Sequence, residues 1–177
     1  MKPIRLLVLD VDGVLTDGRL YYGPRGEALK CFHVRDGVGL KALQAAGIDV
    51  AVISGRRSAA VARRCRELGV EHVVQGADDK WSAFSRLIAR LGVAPAECAC
   101  IGDDLPDVPL LRAAGVSYAV ADAHPAARAA ARHATRAKGG RGAVREVCDR
   151  LIERTGPARP AGRTRPTGPA RPPGRPS

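Results

Sequence analysis

Between residues 4 and 154, short runs rich in Val, Ile and Leu alternate with longer amphipathic stretches, and this alternation constrains the fold more than any other feature. The runs lie near 4–10, 49–53, 71–74, 98–102 and 116–120. They are continuously apolar, as strands of a parallel sheet covered on both faces must be. Helical patterns fall near 37–46, 57–68, 79–91, 107–114, 124–131 and 141–154, and Gly47, Gly69, Gly92 and Gly115 stand where helix stops are expected. The repetition predicts βα units, an α/β architecture with helices on both faces of a parallel sheet. One segment breaks the rhythm. Residues 18–34 carry Tyr21, Tyr22, Gly23, Pro24 and Gly26 and then Leu29 to Val34, which reads as a β-hairpin about a Gly-Pro-Arg-Gly turn.

The chain of 177 residues fits one domain with an appendage. Aromatic residues are only 3%, so Ala, Val and Leu must supply the core. The net charge of +11 owes five Arg to residues 157–177, a stretch of Pro, Arg, Gly, Ala and Thr with no acid. That stretch has too little apolar surface to offset the entropy of ordering, so a domain over 1–156 and a disordered tail over 157–177 are expected. Five cysteines (Cys31, Cys65, Cys98, Cys100 and Cys148) form no C-x-x-C pair, which argues against a disulfide framework or a zinc site. The N-terminal apolar run is interrupted by Arg5 and ended by Asp10, too short for a signal peptide or membrane span. A cytoplasmic location is therefore expected.

The chemistry concentrates where strands end. The first strand runs into Asp10-Val-Asp12-Gly13-Val-Leu-Thr-Asp-Gly18, which puts two carboxylates on the same side of the emerging backbone. Two such groups repel unless a cation binds or one takes a proton. Both circumstances suit phosphoryl transfer, with one Asp attacking phosphorus and the other protonating the leaving oxygen. The strand 49–53 runs into Ser54-Gly55-Arg56, a hydroxyl, accessible amides and a guanidinium at a helix start, which suits phosphate. Lys80 opens the next helical stretch, placed to neutralise phosphate or carboxylate. The strand 98–102 runs into Gly102-Asp103-Asp104-Leu-Pro-Asp107, whose oxygen donors suit Mg²⁺. Each element alone has a blander reading: a capping pair, a helix start, a solvated lysine, an acidic first turn. Together they fall at the carboxyl ends of strands, where ligands bind in open α/β sheets.

The order D-x-D-G, S-G-R, Lys and G-D-D-x-x-D resembles the four motifs of the haloacid dehalogenase superfamily, over roughly residues 4–155. The resemblance implies a Rossmann-like fold with no large cap and a β-hairpin flap. It implies that Asp10 forms an aspartyl-phosphate, that Asp12 is general acid and then base, and that Ser54 and Lys80 hold the phosphoryl group. Mg²⁺ would be bound by Asp10, the Asp12 backbone carbonyl and Asp103, with Asp104 and Asp107 in support. The strings K-C-F-H-V-R-D-G-V-G at 30–39, A-V-A-D-A-H-P at 119–125 and G-G-R-G-A-V-R-E-V-C-D at 139–149 are similar to the cap-less 3-deoxy-D-manno-octulosonate 8-phosphate phosphatases. In that family the hairpin and C-terminal segment of neighbouring subunits close the site of a homotetramer. Carried over, the resemblance assigns substrate contacts to Asp12, His33, Val34, Arg35, Asp36, Gly37, Lys41, Gly55, Arg56, Arg64 and Lys80. His33 and Lys41 stand where Asn and Arg are commoner, and Lys cannot reproduce the bidentate fork of Arg. The expected activity is hydrolysis of 3-deoxy-D-manno-octulosonate 8-phosphate for lipopolysaccharide assembly. The alternatives are a phosphatase of a nine-carbon sialic-type sugar 9-phosphate or another small phosphomonoester, and a module binding nucleic acid or another anion through the basic tail. The absence of a base-stacking aromatic array disfavours the last.

Overall fold

The strand β1 (Leu6–Leu9) is buried along its whole length and pairs in parallel with β4 (Asp49–Ser54) on one side and β6 (Cys98–Gly102) on the other. This computed structural model describes residues 2–155, so the 157–177 segment lies outside the described residues. Beyond β4 lies β5 (His72–Gln75), and beyond β6 lie β7 (Val116–Ala119) and the two-residue β8 (His133–Ala134). The sheet order is β5-β4-β1-β6-β7-β8, all parallel. The chain thus builds outward from β1 to one edge, then returns to β6 and builds toward the other. A crevice opens where that direction reverses, at the carboxyl ends of β1 and β6.

Right-handed crossovers assign the helices to faces. The helices α1 (Val34–Ala45) and α2 (Ala59–Leu68) connect strands running to one edge, so they share a face, and α6 (Ala143–Thr155) packs on α1. The helices α3 (Lys80–Leu91), α4 (Val108–Ala113) and α5 (Pro125–Ala130) connect strands progressing the other way and pack successively on the opposite face. The apolar stripes match this placement. In α2, Val61, Cys65 and Leu68 are buried, and in α3, Ala83, Phe84, Leu87 and Ile88. Side-chain caps start both: Ser58 Oγ accepts from Val61 N at 3.5 Å, and Asp79 Oδ1 from Trp81 N at 2.9 Å. Gly69 and Gly92 end them in the left-handed conformation, at φ 71° and 61°.

Four expectations need correction. The hairpin strands are β2 (Tyr21–Gly23) and β3 (Gly26–Leu29), so the second arm stops at Leu29 rather than reaching Val34. His33 is consequently not a hairpin residue: it is the N-cap of α1, its Nδ1 accepting from Arg35 N at 3.2 Å. The helix α1 starts at Val34 rather than near 37, because its glycine-containing first turn is stabilised by a distant contact. Asp36 Oδ1 accepts from Arg145 N at 2.8 Å, joining this turn to the start of α6. Finally, Gly115 does not close a helix with a left-handed turn; a Cβ there would lie 2.1 Å from the Ala96 carbonyl oxygen, so close backbone approach is what it permits. The strand β8 had no visible signal in its Arg- and Ala-rich surroundings.

Candidate active site

Asp10 follows β1 directly, only 8% exposed, with its backbone N–H bonded to Ile101 O at 3.3 Å. Lys80, the first residue of α3, is equally enclosed and places Nζ 2.9 Å from Asp10 Oδ1 and 2.7 Å from Asp107 Oδ1. The other oxygen of Asp107 accepts from the backbone of Asp103 at 3.0 Å and of Asp104 at 3.3 Å. Asp107 is therefore an orienting group: both its oxygens are engaged in holding Lys80 and the loop after β6. Ser54, the last residue of β4, is buried and accepts from Arg56 N at 3.3 Å, which fixes the loop between β4 and α2. Asp10, Lys80 and Ser54 line a cavity of about 260 Å³ with Asp12, Gly55, Arg56, Asp103, Asp104 and Pro106. A larger open groove of about 740 Å³ runs along β5 and carries only Arg66 and Glu71 as charged groups. The convergence of carboxylates and cations places the chemistry in the smaller cavity.

The electrostatics are those of a site built for a cation. Carboxylate oxygens of Asp10, Asp103 and Asp107 lie within 4.8 Å of one another. Burial pushes Asp10 up to about 6, against the pull of Lys80, and burial with the charges of Asp10 and Asp107 pushes Asp103 up to about 8. Burial opposes the charge of Lys80, but Asp10 and Asp107 outweigh it and its pKa is raised. Asp103 Oδ1 is buried with no hydrogen-bond donor. A hard divalent cation with oxygen ligands fits this set, taking Asp10 and Asp103 directly, since Asp107 is already committed. The backbone crosses close by: Gly13 has φ 89°, and a Cβ there would fall 2.0 Å from Asp103 Oδ2. The Gly139-Gly140 turn braces the same loop, with Gly140 N bonded to Val14 O at 2.9 Å and Gly139 N to Asp122 Oδ1 at 3.0 Å.

The structure thus gathers Asp10, Asp12, Ser54, Gly55, Arg56, Lys80 and Asp103 into one cavity. His33, Val34, Arg35, Asp36, Gly37, Lys41 and Arg64 do not line it. Asp36 departs furthest from its expected role as a substrate contact. It is 1% exposed, and burial raises its pKa against the hydrogen bond it accepts from Arg145 N at the start of α6. It is a helix cap, inaccessible to a substrate within the chain. Val34, Arg35 and Lys41 are exposed on α1, while the Arg64 guanidinium lies over Gly37 and pairs with Glu67 at 3.4 Å.

Sequence reasoning overlooked the polar side of the hairpin. Lys30 has a side chain only 2% exposed, donates to Asp12 Oδ1 and lies 3.2 Å from Glu27 Oε2. Glu27 also accepts from Ser58 Oγ and lies 3.6 Å from Arg56 Nη2, and Tyr22 OH accepts from Arg56 at 2.9 Å. An acid and a lysine three residues apart in an otherwise exposed hairpin were the available signal.

A parallel α/β sheet with an enclosed Asp-Lys pair and an acidic cluster at its switch point defines a class, and the model of the haloacid dehalogenase-like hydrolases matches residues 27–115. The similarity to individual relatives is extensive. The 3-deoxy-D-manno-octulosonate 8-phosphate phosphatase KdsC of Escherichia coli (strain K12) is 52% identical over 151 residues, covering 85% of this chain and 80% of the relative. The crystal structure of the Moraxella catarrhalis 3-deoxy-D-manno-octulosonate 8-phosphate phosphatase, in complex with magnesium ion, phosphate ion and KDO, is 46% identical with a TM-score of 0.83, covering 85% of this chain and 86% of that one. The cobalt-bound Haemophilus influenzae phosphatase gives 45% identity and a TM-score of 0.84, with 86% and 90% covered. The chain belongs to the haloacid dehalogenase-like hydrolases, in the branch that holds the 3-deoxy-D-manno-octulosonate 8-phosphate phosphatases.

Proposed function

We propose that this protein hydrolyses 3-deoxy-D-manno-octulosonate 8-phosphate to the free sugar acid and phosphate, supplying lipopolysaccharide assembly. The observation that carries the chemistry is the single cavity in which Asp10, enclosed and paired with Lys80, faces Asp12, Arg56 and Asp103. The sugar is supported by relatives of this size and identity, one of them solved with magnesium, phosphate and KDO.

In this reading Asp10 attacks phosphorus, the bond from phosphorus to the sugar oxygen breaks, and Asp12 gives its proton to that oxygen. Water then attacks the aspartyl-phosphate, Asp12 takes back a proton, and Asp10 is regenerated as phosphate leaves. Lys80 and the Ser54 region balance charge on the phosphoryl group, and Arg56 faces the incoming ester. Asp10, Asp103 and the Asp12 backbone carbonyl would hold Mg²⁺, which when bound would neutralise charges that otherwise repel substrate.

A homotetramer in the cytoplasm completes the proposal. Leu20, Tyr21, Tyr22 and Leu29 on the hairpin, with Val34 and Val38 on α1, are exposed apolar side chains close in sequence, as an assembly surface requires. No helix among the described residues is long and apolar enough to cross a membrane. The test is phosphate release from 3-deoxy-D-manno-octulosonate 8-phosphate, from a nine-carbon sugar 9-phosphate and from an aryl phosphate, each with and without Mg²⁺. A magnesium-dependent kcat/KM highest for the first is expected. Preference for either of the others overturns the assigned substrate.

A further inference from the structure

We infer that Lys30, held by Glu27, is the positioning residue for the Asp12 carboxyl, so that the β2–β3 hairpin rather than the sheet aims the acid/base group. The inference rests on the phosphatase reading above and adds a residue to it. Among the described residues, Lys30 supplies the one hydrogen bond to the Asp12 side chain. The other oxygen, Oδ2, is buried and unbonded, 3.7 Å from Arg56 Nε, which is itself buried without a partner. The contrast with the rest of the site is plain. Asp10 is fixed by Lys80 from the core helix α3, and Asp107 by Lys80 and two backbone amides. Asp12 leans on a side chain carried by the hairpin.

That side chain is enclosed, and an ammonium group removed from water is stable only when paired and bonded. Glu27, on β3 and three residues earlier than Lys30, which directly follows that strand, provides the second pairing. Glu27 is tied in turn to the scaffold through Ser58, the α2 N-cap, whose backbone N–H donates to Gln75 Oε1 on β5 at 2.7 Å. The line Gln75, Ser58, Glu27, Lys30, Asp12 therefore transmits the position of the sheet edge to the acid/base carboxyl through the hairpin. Lys30 engages Oδ1 and leaves Oδ2 facing Arg56 without a hydrogen bond.

The consequence is specific to the proton-transfer role. An alkyl phosphate, such as a sugar phosphate, needs its leaving oxygen protonated, whereas an aryl phosphate such as p-nitrophenyl phosphate expels a stable anion without that help. Asp12 also serves as base in the later hydrolysis of the aspartyl-phosphate, a step common to both esters, so the readout is the rate of Asp10 phosphorylation by rapid acid quench. Lys30→Met should lower it on the sugar 8-phosphate about 100-fold, within the range that general acid catalysis contributes, with KM changed less than about threefold. On p-nitrophenyl phosphate the loss in that phosphorylation rate should stay under about fivefold, and Lys30→Arg should regain about tenfold on the sugar phosphate. Glu27→Gln, which keeps Lys30 but loosens its hold, should show the same selectivity with a smaller loss, and it decides the matter if Lys30→Met does not fold. Equal losses of phosphorylation rate on both esters, a change confined to KM, or no loss in either variant would overturn the inference. Wild-type protein inactive on both esters would instead overturn the phosphatase reading.

Discussion

Replacing Lys80 by Met removes the one cation wedged between Asp10 and Asp107 and leaves their carboxylates facing each other beside Asp103. At 2.9 Å and an effective dielectric of about 20, the Asp10 pair alone has a Coulomb energy of about 6 kcal/mol. Little of that is net stability, because the ammonium loses water to reach the site and because Asp10 and Asp103 take up protons once the cation is gone. Breaking a buried pair by removing one partner costs about 3–5 kcal/mol, and this is the expected loss for the metal-free protein at neutral pH. For a domain of this size that lowers the melting temperature by about 10 °C. Mg²⁺ should return part of the loss, since a divalent ion compensates the same carboxylates. The assay is thermal unfolding in chelator and then across a Mg²⁺ titration, with phosphate release measured in parallel and expected to fall at least about 100-fold. A melting temperature unchanged in chelator would refute the electrostatic account of Lys80.

Further outcomes follow from the same geometry. Asp10→Asn should abolish turnover on every phosphomonoester while the protein stays folded, checked by phosphate release and circular dichroism; residual activity within tenfold of wild type would contradict the nucleophile assignment. Asp10 and Asp103 have folded pKa values raised to about 6 and about 8, so between about pH 4 and 8 the folded metal-free protein holds more protons than the unfolded chain. Its stability should therefore fall as pH rises through that window, and Mg²⁺ should flatten the fall; melting temperature against pH, with and without Mg²⁺, reads both. Gly13→Ala forces a methyl group to within 2.0 Å of Asp103 Oδ2 unless the loop moves, so the Mg²⁺ concentration needed for half-maximal activity should rise at least about tenfold. Asp36→Ala removes the cap of α6 and should cost about 2 kcal/mol in denaturant unfolding.

The sheet and its switch point were legible in the sequence because buried parallel strands are continuous apolar runs, and the five predicted here fall within two residues of observed strands at both ends. The core of the site was legible for a related reason. Asp10, Ser54 and Asp103 sit at or just past strand ends and Lys80 at a helix start, positions that topology fixes whatever the side chains do. What sequence did not reveal depends on contacts between distant segments. Asp36 looks like a polar residue beside a flexible Gly-Val-Gly, yet Arg145, far along the chain, makes it a cap. Lys30 looks like a solvated hairpin lysine, and only the folding of β3 against the loop after β1 encloses it beside Asp12. The start of α1 was misplaced for the same reason as Asp36, since helix propensity is weak in Val-Arg-Asp-Gly-Val-Gly and packing on α6 supplies the missing stabilisation.

Turnover at this site depends on a covalent bond between the Asp10 carboxylate and phosphorus. Rapid acid quenching of the Mg²⁺-loaded protein during turnover of 3-deoxy-D-manno-octulosonate 8-phosphate, followed by peptide mass mapping, tests it most directly. One phosphoryl group is expected on the peptide that contains Asp10, and none in Asp10→Asn. Turnover with no phosphorylated peptide at any quench time, or with the phosphoryl group on another residue, would contradict it.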